Sequence, residues 1–160
     1  MIPKTEGIMK IKLIIISLVI SLTSLGQSEE FLVLSYSNNG IEMPKKEVQD
    51  GQWFVKFMFS DTTLVFILGC KRDSTYSYGY LEKKEEYDIT PTDTANLVVF
   101  TAYKWYYANT YDKKEGIAEI TSYRIFYNRQ MILQVLIKVE DEDKLNEFYI
   151  TAYNIHYKEN

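Results

Sequence analysis

Arg124, the aromatic series Tyr103, Trp105 and Tyr107, together with Trp53, Cys70, His156 and the acidic run Glu140–Asp143, are the residues whose types and spacing bear on chemistry. The three rings of the series stand two residues apart, so in an extended segment they share one face. With Trp53 they would make the wall of an apolar pocket or a platform for a sugar ring; plain core packing is the alternative use. Arg124 falls on that same face by the register argument below. A guanidinium among apolar side chains must be paired or reach water, and inside a barrel it would hold the carboxylate or phosphate of an enclosed ligand. The alternative is a strand-end position, where it snorkels to solvent or pairs with a structural carboxylate.

The remaining candidates carry less. Glu140–Asp143 lacks the central Gly and closing Glu of a calcium loop and reads as a solvated turn. His156 has no Ser or Cys motif beside it. Gly-x-Ser-x-Gly, phosphate-cradling glycine loops and zinc-protease helices are missing from the sequence. A lone Cys70 reads as a buried, inert thiol. No catalytic residue, metal ligand or cofactor is assigned on these grounds. A hydrolase acting on polysaccharide or lipid stays as a third reading, because paired carboxylates can meet in space without any local motif.

Composition bounds the rest. The chain has 160 residues, 46% of them hydrophobic and 15% aromatic, which excludes intrinsic disorder. One Cys and one His exclude an internal disulfide and a thiolate zinc cluster, and leave little for a His-rich metal site. A formal charge of -4 and a pI near 5.1 argue against nucleic acid as a partner, since phosphate binding needs a Lys and Arg surplus.

Residues 1–26 read as a cleavable signal peptide. Every Phe, Trp and Tyr lies after Gly26. Lys4, Lys10 and Lys12 form a basic start, and Leu13–Leu22 an apolar run too short for the ~20 residues that cross a bilayer. Ser24-Leu25-Gly26 supplies small residues at both cleavage positions, so the mature chain is expected to begin at Gln27. Met9 is an alternative start. The expected location is the periplasm or the extracellular space of a Gram-negative bacterium, with membrane contact only through the uncleaved leader. The mature chain, residues 27–160, then has 15 Lys and Arg against 21 Asp and Glu, a net charge of -6. Its length suits one domain.

The elements that must position these side chains are strands. The mature chain has no helical periodicity of three turns, and alternation runs almost throughout. The expected strands are Phe31–Ser37, Gln52–Ser60, Thr63–Cys70, Thr75–Leu81, Tyr87–Ile89, Leu97–Asn109, Gly116–Tyr127, Gln130–Glu140 and Glu147–Tyr157. Asn38-Asn39-Gly40 and Asp50-Gly51 offer positive-φ positions, and Ser60-Asp61-Thr62 and Asn128-Arg129 are short hairpin loops. Lys83-Lys84-Glu85-Glu86 and Glu140-Asp141-Glu142-Asp143 read as charged turns, and Pro44–Asp50 as one short helix. The fold class is all-β: an up-and-down antiparallel barrel, or else a two-sheet sandwich.

The last third fixes a register. Pairing Tyr127 with Gln130 sets Glu119 opposite Lys138, and pairing Asn109 with Gly116 sets Trp105 opposite Ile120. One face of this meander then collects Val99, Thr101, Tyr103, Trp105, Tyr107, Ala118, Ile120, Ser122, Arg124, Phe126, Met131, Leu133, Val135, Ile137 and Val139. The other collects Lys104, Glu119, Gln134, Lys138 and Glu140. The first set is the interior.

Asp50-Gly51-Gln52-Trp53 resembles the Gly-x-Trp that opens the first barrel strand of lipocalin-like proteins. That resemblance implies a barrel-base Trp packed on a late-strand Arg, the parts Trp53 and Arg124 would play. Two features depart from it: a strand, Phe31–Ser37, precedes the motif, and the later lipocalin motifs are missing. Separately, Trp105-x-Tyr107-x-Asn109-x-Tyr111-Asp112 followed by Gly116-x-Ala118 resembles small exported β-rich proteins of Gram-negative bacteria, a likeness that implies a fold and a compartment. The expected function is non-catalytic binding of a small apolar or amphipathic ligand inside the barrel, with Trp53, Tyr103, Trp105, Tyr107 and Arg124 as ligand-binding residues. The alternative is an envelope or surface interaction module that binds a protein or glycan. A continuous interior cavity would favour the first, and a filled core with a Tyr-rich outer patch the second.

Overall fold

The computed structural model describes residues 27–90, 97–127 and 130–154. The expected leader, Pro91, the expected Asn128-Arg129 turn and His156 lie outside the described residues. The elements are β1 (Gln27–Asn38), β2 (Ile41–Glu42), α1 (Lys45–Gly51), β3 (Trp53–Phe59), β4 (Leu64–Cys70), β5 (Thr75–Asp88), β6 (Leu97–Asn109), β7 (Glu115–Tyr127), β8 (Gln130–Asp141) and β9 (Lys144–Asn154).

From β3 to β9 each strand pairs antiparallel with the next. The first strand closes the sheet. Its N-terminal half pairs with β3, Gln27 opposite Phe59, and its C-terminal half pairs with β9, Asn38 opposite Phe148. A bulge between Val33 and Ser35 lets one strand serve both neighbours. The result is a closed eight-stranded up-and-down barrel of lipocalin-like form, with two-residue β2 as a flap on the end of β1. Closure removes the exposed sheet edges that a two-sheet sandwich would leave.

β1 leaves β3 after Leu32, and α1 packs where they part. The expected helix at Pro44–Asp50 is found one residue on. Proline stands before the first turn, where it has no hydrogen bond to lose. Val48 inserts into the core at 1% exposure. The positive φ expected at Asp50-Gly51 falls on Gln52 (φ 49°), while Gly51 closes the helix. Gly51 is needed for space: a Cβ there would stand 2.8 Å from the Trp53 ring and 3.2 Å from Cys70 Sγ. The thiol of Cys70 is buried and donates to the Gly51 carbonyl.

The interior is packed. Phe31, Phe57, Phe66 and Trp105 cross the barrel as consecutive edge-to-face pairs, with centroids 6.1, 5.2 and 5.0 Å apart. Ile120, Leu133, Ile137 and Ile150 fill the space around them at 2% exposure or less. The interior face read from the sequence holds: Thr101, Tyr103, Ala118, Ser122, Met131 and Val135 are all buried. Lys104, Glu119 and Lys138 lie on the outside. A barrel that spans a membrane has the reverse polarity, apolar outside and polar within.

Three local expectations are corrected. Tyr107, and not Asn109, stands opposite Gly116, so the β6–β7 register is shifted by two residues and Trp105 faces Ala118. Asn109 is held instead by β5, where it pairs with Ser77. A shift of two keeps every side chain on its face, which is why the interior set survived. Lys83-Lys84-Glu85-Glu86 is not a turn. β5 runs on through a bulge between Lys83 and Glu85, since the first half of β6 needs a partner: Glu86 pairs with Thr101 and Asp88 with Val99. The first strand begins at Gln27, four residues before the expected start.

Candidate functional site

The barrel has two unlike ends. One is framed by the β4–β5, β6–β7 and β8–β9 connections and by α1; the other by the N-terminus of β1 and the Ser60–Thr63 loop. At the first end the side chains leave a pocket of about 150 Å³ between Tyr36, Leu68, Ser77, Trp105, Tyr107, Asn109, Tyr111, Ile137, Val139, Asp141, Asn146 and Phe148. This mouth is a concavity that continues the interior.

Strand alternation supplies its walls. Trp105, Tyr107 and Asn109 succeed one another along one face of β6, and Ile137, Val139 and Asp141 along β8. Trp105 forms the floor at 3% exposure, and its indole N–H donates to the Gly79 carbonyl at 3.3 Å. Tyr107 leans against Trp105, centroids 5.0 Å apart. Its ring crosses the backbone of Gly116, where a Cβ would meet the phenol oxygen at 2.7 Å. Opposite, Tyr36 packs on Phe148 at 6.1 Å.

The polar lining is largely committed to itself. Ser77 Oγ donates to Asn109 Oδ1 at 2.7 Å. Asn39 Nδ2 donates to Asn146 Oδ1 at 3.0 Å, and Asn39 Oδ1 accepts the backbone N–H of Glu147 at 2.8 Å. These bonds tie the β1–β2 turn to β9. Burial and then the neighbouring Tyr111 phenol push Tyr36 up to about 12. Tyr107 is raised by burial first, then by Tyr111, Asp141 and Asp112. The mouth is thus a poorly solvated place with negative charge at its rim.

The five residues picked from the sequence are divided by this geometry. Trp105 and Tyr107 line the mouth. Trp53 stands behind it, its ring 5.4 Å from that of Tyr36. Tyr103 is buried core. Arg124 is at the other end: Nη1 donates to Glu29 Oε1 at 3.0 Å and Oε2 at 3.2 Å, and the guanidinium lies 4.8 Å over the Phe57 ring. Trp53 and Arg124 therefore do not pack on one another. The ring under Arg124 belongs to Phe57, four residues along β3. Arg124 is paired to a structural carboxylate near a strand end, the alternative reading of that residue.

Tyr36, Tyr111, Asp141, Asn146 and Phe148 were missed. For Tyr111 the signal was present, since Trp105, Tyr107, Asn109 and Tyr111 continue one alternation. Asp141 was hidden in the acidic run. There Glu142 and Asp143 alone form the turn, with φ 47° and 63°, while Asp141 ends β8 opposite Lys144. Among the described residues no group of three His, Cys, Asp or Glu side chains stands close enough to hold a metal ion.

A second surface lies on the outside of β3, β4 and β5. Phe54, Ile67, Tyr76 and Tyr78 border a shallow depression of about 590 Å³, with Lys56, Lys71 and Glu30 at its edge. Lys71 pairs with Glu30 and lies over the Phe54 ring. Beyond it Tyr80 and Tyr106 stack at 4.4 Å. Tyr76, Tyr78 and Tyr80 alternate along this outer face of β5. Comparison of the chain with known protein families, with curated proteins and with solved structures finds no match.

Proposed function

We propose that this chain is an exported, non-catalytic binding protein that takes a small ligand, or one small group of a larger one, in the mouth of its barrel. The observation that carries the reading is the pocket of about 150 Å³ walled by Trp105, Tyr107, Tyr36 and Phe148. The filled interior narrows the earlier expectation. Drug-sized ligands need ~300–1,000 Å³, so a lipid-sized guest has no room, whereas ~150 Å³ accepts a guest of benzene size. The export part of the proposal rests on residues 4–26 and on the likeness to small exported β-rich bacterial proteins.

Native mass spectrometry tests this reading on protein purified from its own host. The wild type should carry a small adduct, and Val139→Phe, which fills the mouth from β8, should lack it. The same adduct on the filled variant would place any ligand elsewhere and end the proposal.

The outer patch supports a second reading. A filled core with the Tyr76 and Tyr78 rings on the outer face is the arrangement expected of a module that stacks on a glycan or docks a protein. An adduct or partner lost from Tyr76→Ala, and kept by Val139→Phe, would favour it over the mouth.

A further inference from the structure

We propose that the mouth recognises a small organic cation, the methylated ammonium group of a choline-like or betaine-like compound. The inference rests on the reading of the mouth as a binding site and names the chemistry it takes.

Three features of the mouth converge on this class. The first is the walls. Trp105, Tyr107, Tyr36 and Phe148 line one cavity, with Tyr111 at its opening. Ring faces carry the negative lobe of the quadrupole and attract a cation within about 6 Å, most strongly where water is excluded. The second is charge. Among the described residues Asp141 is the one carboxylate in the lining, no Lys or Arg contributes to it, and Asp141 has no ion pair. An anionic guest would meet that carboxylate with no Lys or Arg of the lining to offset it. A neutral apolar guest would gain nothing from it.

The third is the hydrogen-bond inventory. Ser77 is bonded to Asn109, and Asn146 to Asn39. A primary ammonium or a sugar brings several donors, each needing an acceptor. A quaternary ammonium brings none. It spreads its charge over methyl groups that fill a cavity of about 150 Å³. Aromatic walls, one rim carboxylate and amide oxygens already engaged by Ser77 and Asn39 together suit that group. The raised Tyr36 and Tyr107 phenols agree, since both report poor solvation and the second also reports the negative field of Asp141 and Asp112.

The test is calorimetric titration of residues 27–160 with choline chloride and with 3,3-dimethyl-1-butanol, its neutral isostere, at matched ionic strength. Choline should bind at least about five-fold more tightly than the isostere. Asp141→Asn, an exposed rim change that leaves the core untouched, should weaken choline by about three-fold or more and leave the isostere unchanged. Tyr107→Leu should abolish the preference while keeping an apolar wall. Equal affinity for both probes, lost together in Val139→Phe, would overturn the cation assignment and leave the mouth a binding site for neutral guests. Choline binding that survives Val139→Phe would overturn the assignment of this site. No binding of either probe, with a native adduct still lost from Val139→Phe, would also overturn the cation chemistry alone; no adduct at all removes both readings.

Discussion

Replacing Arg124 by Met removes the ion pair at the end of the barrel away from the mouth. An exposed pair contributes ~0–1 kcal/mol, and stranding one member of a buried pair costs ~3–5 kcal/mol. Arg124 and Glu29 are 23% and 24% exposed, which places them between those limits. One nitrogen, Nη1, serves both carboxylate oxygens, so the stronger fork-to-fork geometry is absent. We take about 1–2 kcal/mol for the pair and add ~0.5–1 kcal/mol for the guanidinium over Phe57. Methionine returns part of the ring contact. The expected loss is therefore about 2 kcal/mol for Arg124→Met and about 1 kcal/mol for Glu29→Gln, with a coupling of about 1 kcal/mol in the double variant. Urea denaturation of the two single variants and the double variant measures all three terms. Glu119→Gln, on the outer face, serves as the control and should change stability by less than about 0.5 kcal/mol. If Arg124→Met unfolds at the wild-type midpoint with the same slope, the pair and the ring contact add nothing and the reasoning fails.

Gly79→Ala should be the most damaging small change, costing roughly 3 kcal/mol or more, because its Cβ would lie 1.7 Å from the Tyr106 carbonyl oxygen, which is backbone; a urea midpoint or loss of folded protein reads it. Ser122→Ala should stabilise by about 1 kcal/mol, since the hydroxyl is fully buried with no hydrogen-bond partner among the described residues, and an equally large destabilisation would show a partner is present. Stability should fall as pH rises from about 10 toward about 12, by roughly 2 kcal/mol, because Tyr36 holds its proton longer folded than unfolded. Tyr36→Phe should lose that part of the alkaline slope, and an unchanged slope would assign it to other tyrosines. Amino-terminal sequencing of exported material should read from Gln27, and a mature chain starting before Leu22 would remove the cleavage claim.

What the sequence disclosed depended on parity. Alternation sorts side chains between two faces, and it sorted the β6–β8 interior correctly even though one hairpin was two residues out of register. Glu29 was overlooked although it continues the alternation of Phe31 and Val33. Charge near the chain start drew attention from phase. The Lys83–Glu86 stretch was misread because four adjacent charges resemble a loop, while the length of β5 is set by the hydrogen-bonding needs of β6. Closure of β1 on β9 had no local signal at all: Asn38 and Phe148 are 110 residues apart. For the same reason nothing in the sequence told which end of the barrel each candidate would occupy. The mouth draws on β1, β4, β5, β6, β8 and β9, so only the part carried by one strand, Trp105 to Tyr111, was visible.

Amide chemical-shift mapping tests the central claim most directly. Isotope-labelled residues 27–160 are titrated with a small-molecule extract of the host. Shifts should cluster at Tyr36, Asn109, Asp141 and Asn146, with the outer patch at Phe54, Ile67 and Tyr76 silent, and the same extract should leave Val139→Phe unshifted. Shifts centred on Phe54, Ile67 and Tyr76, with the mouth unmoved, would contradict it.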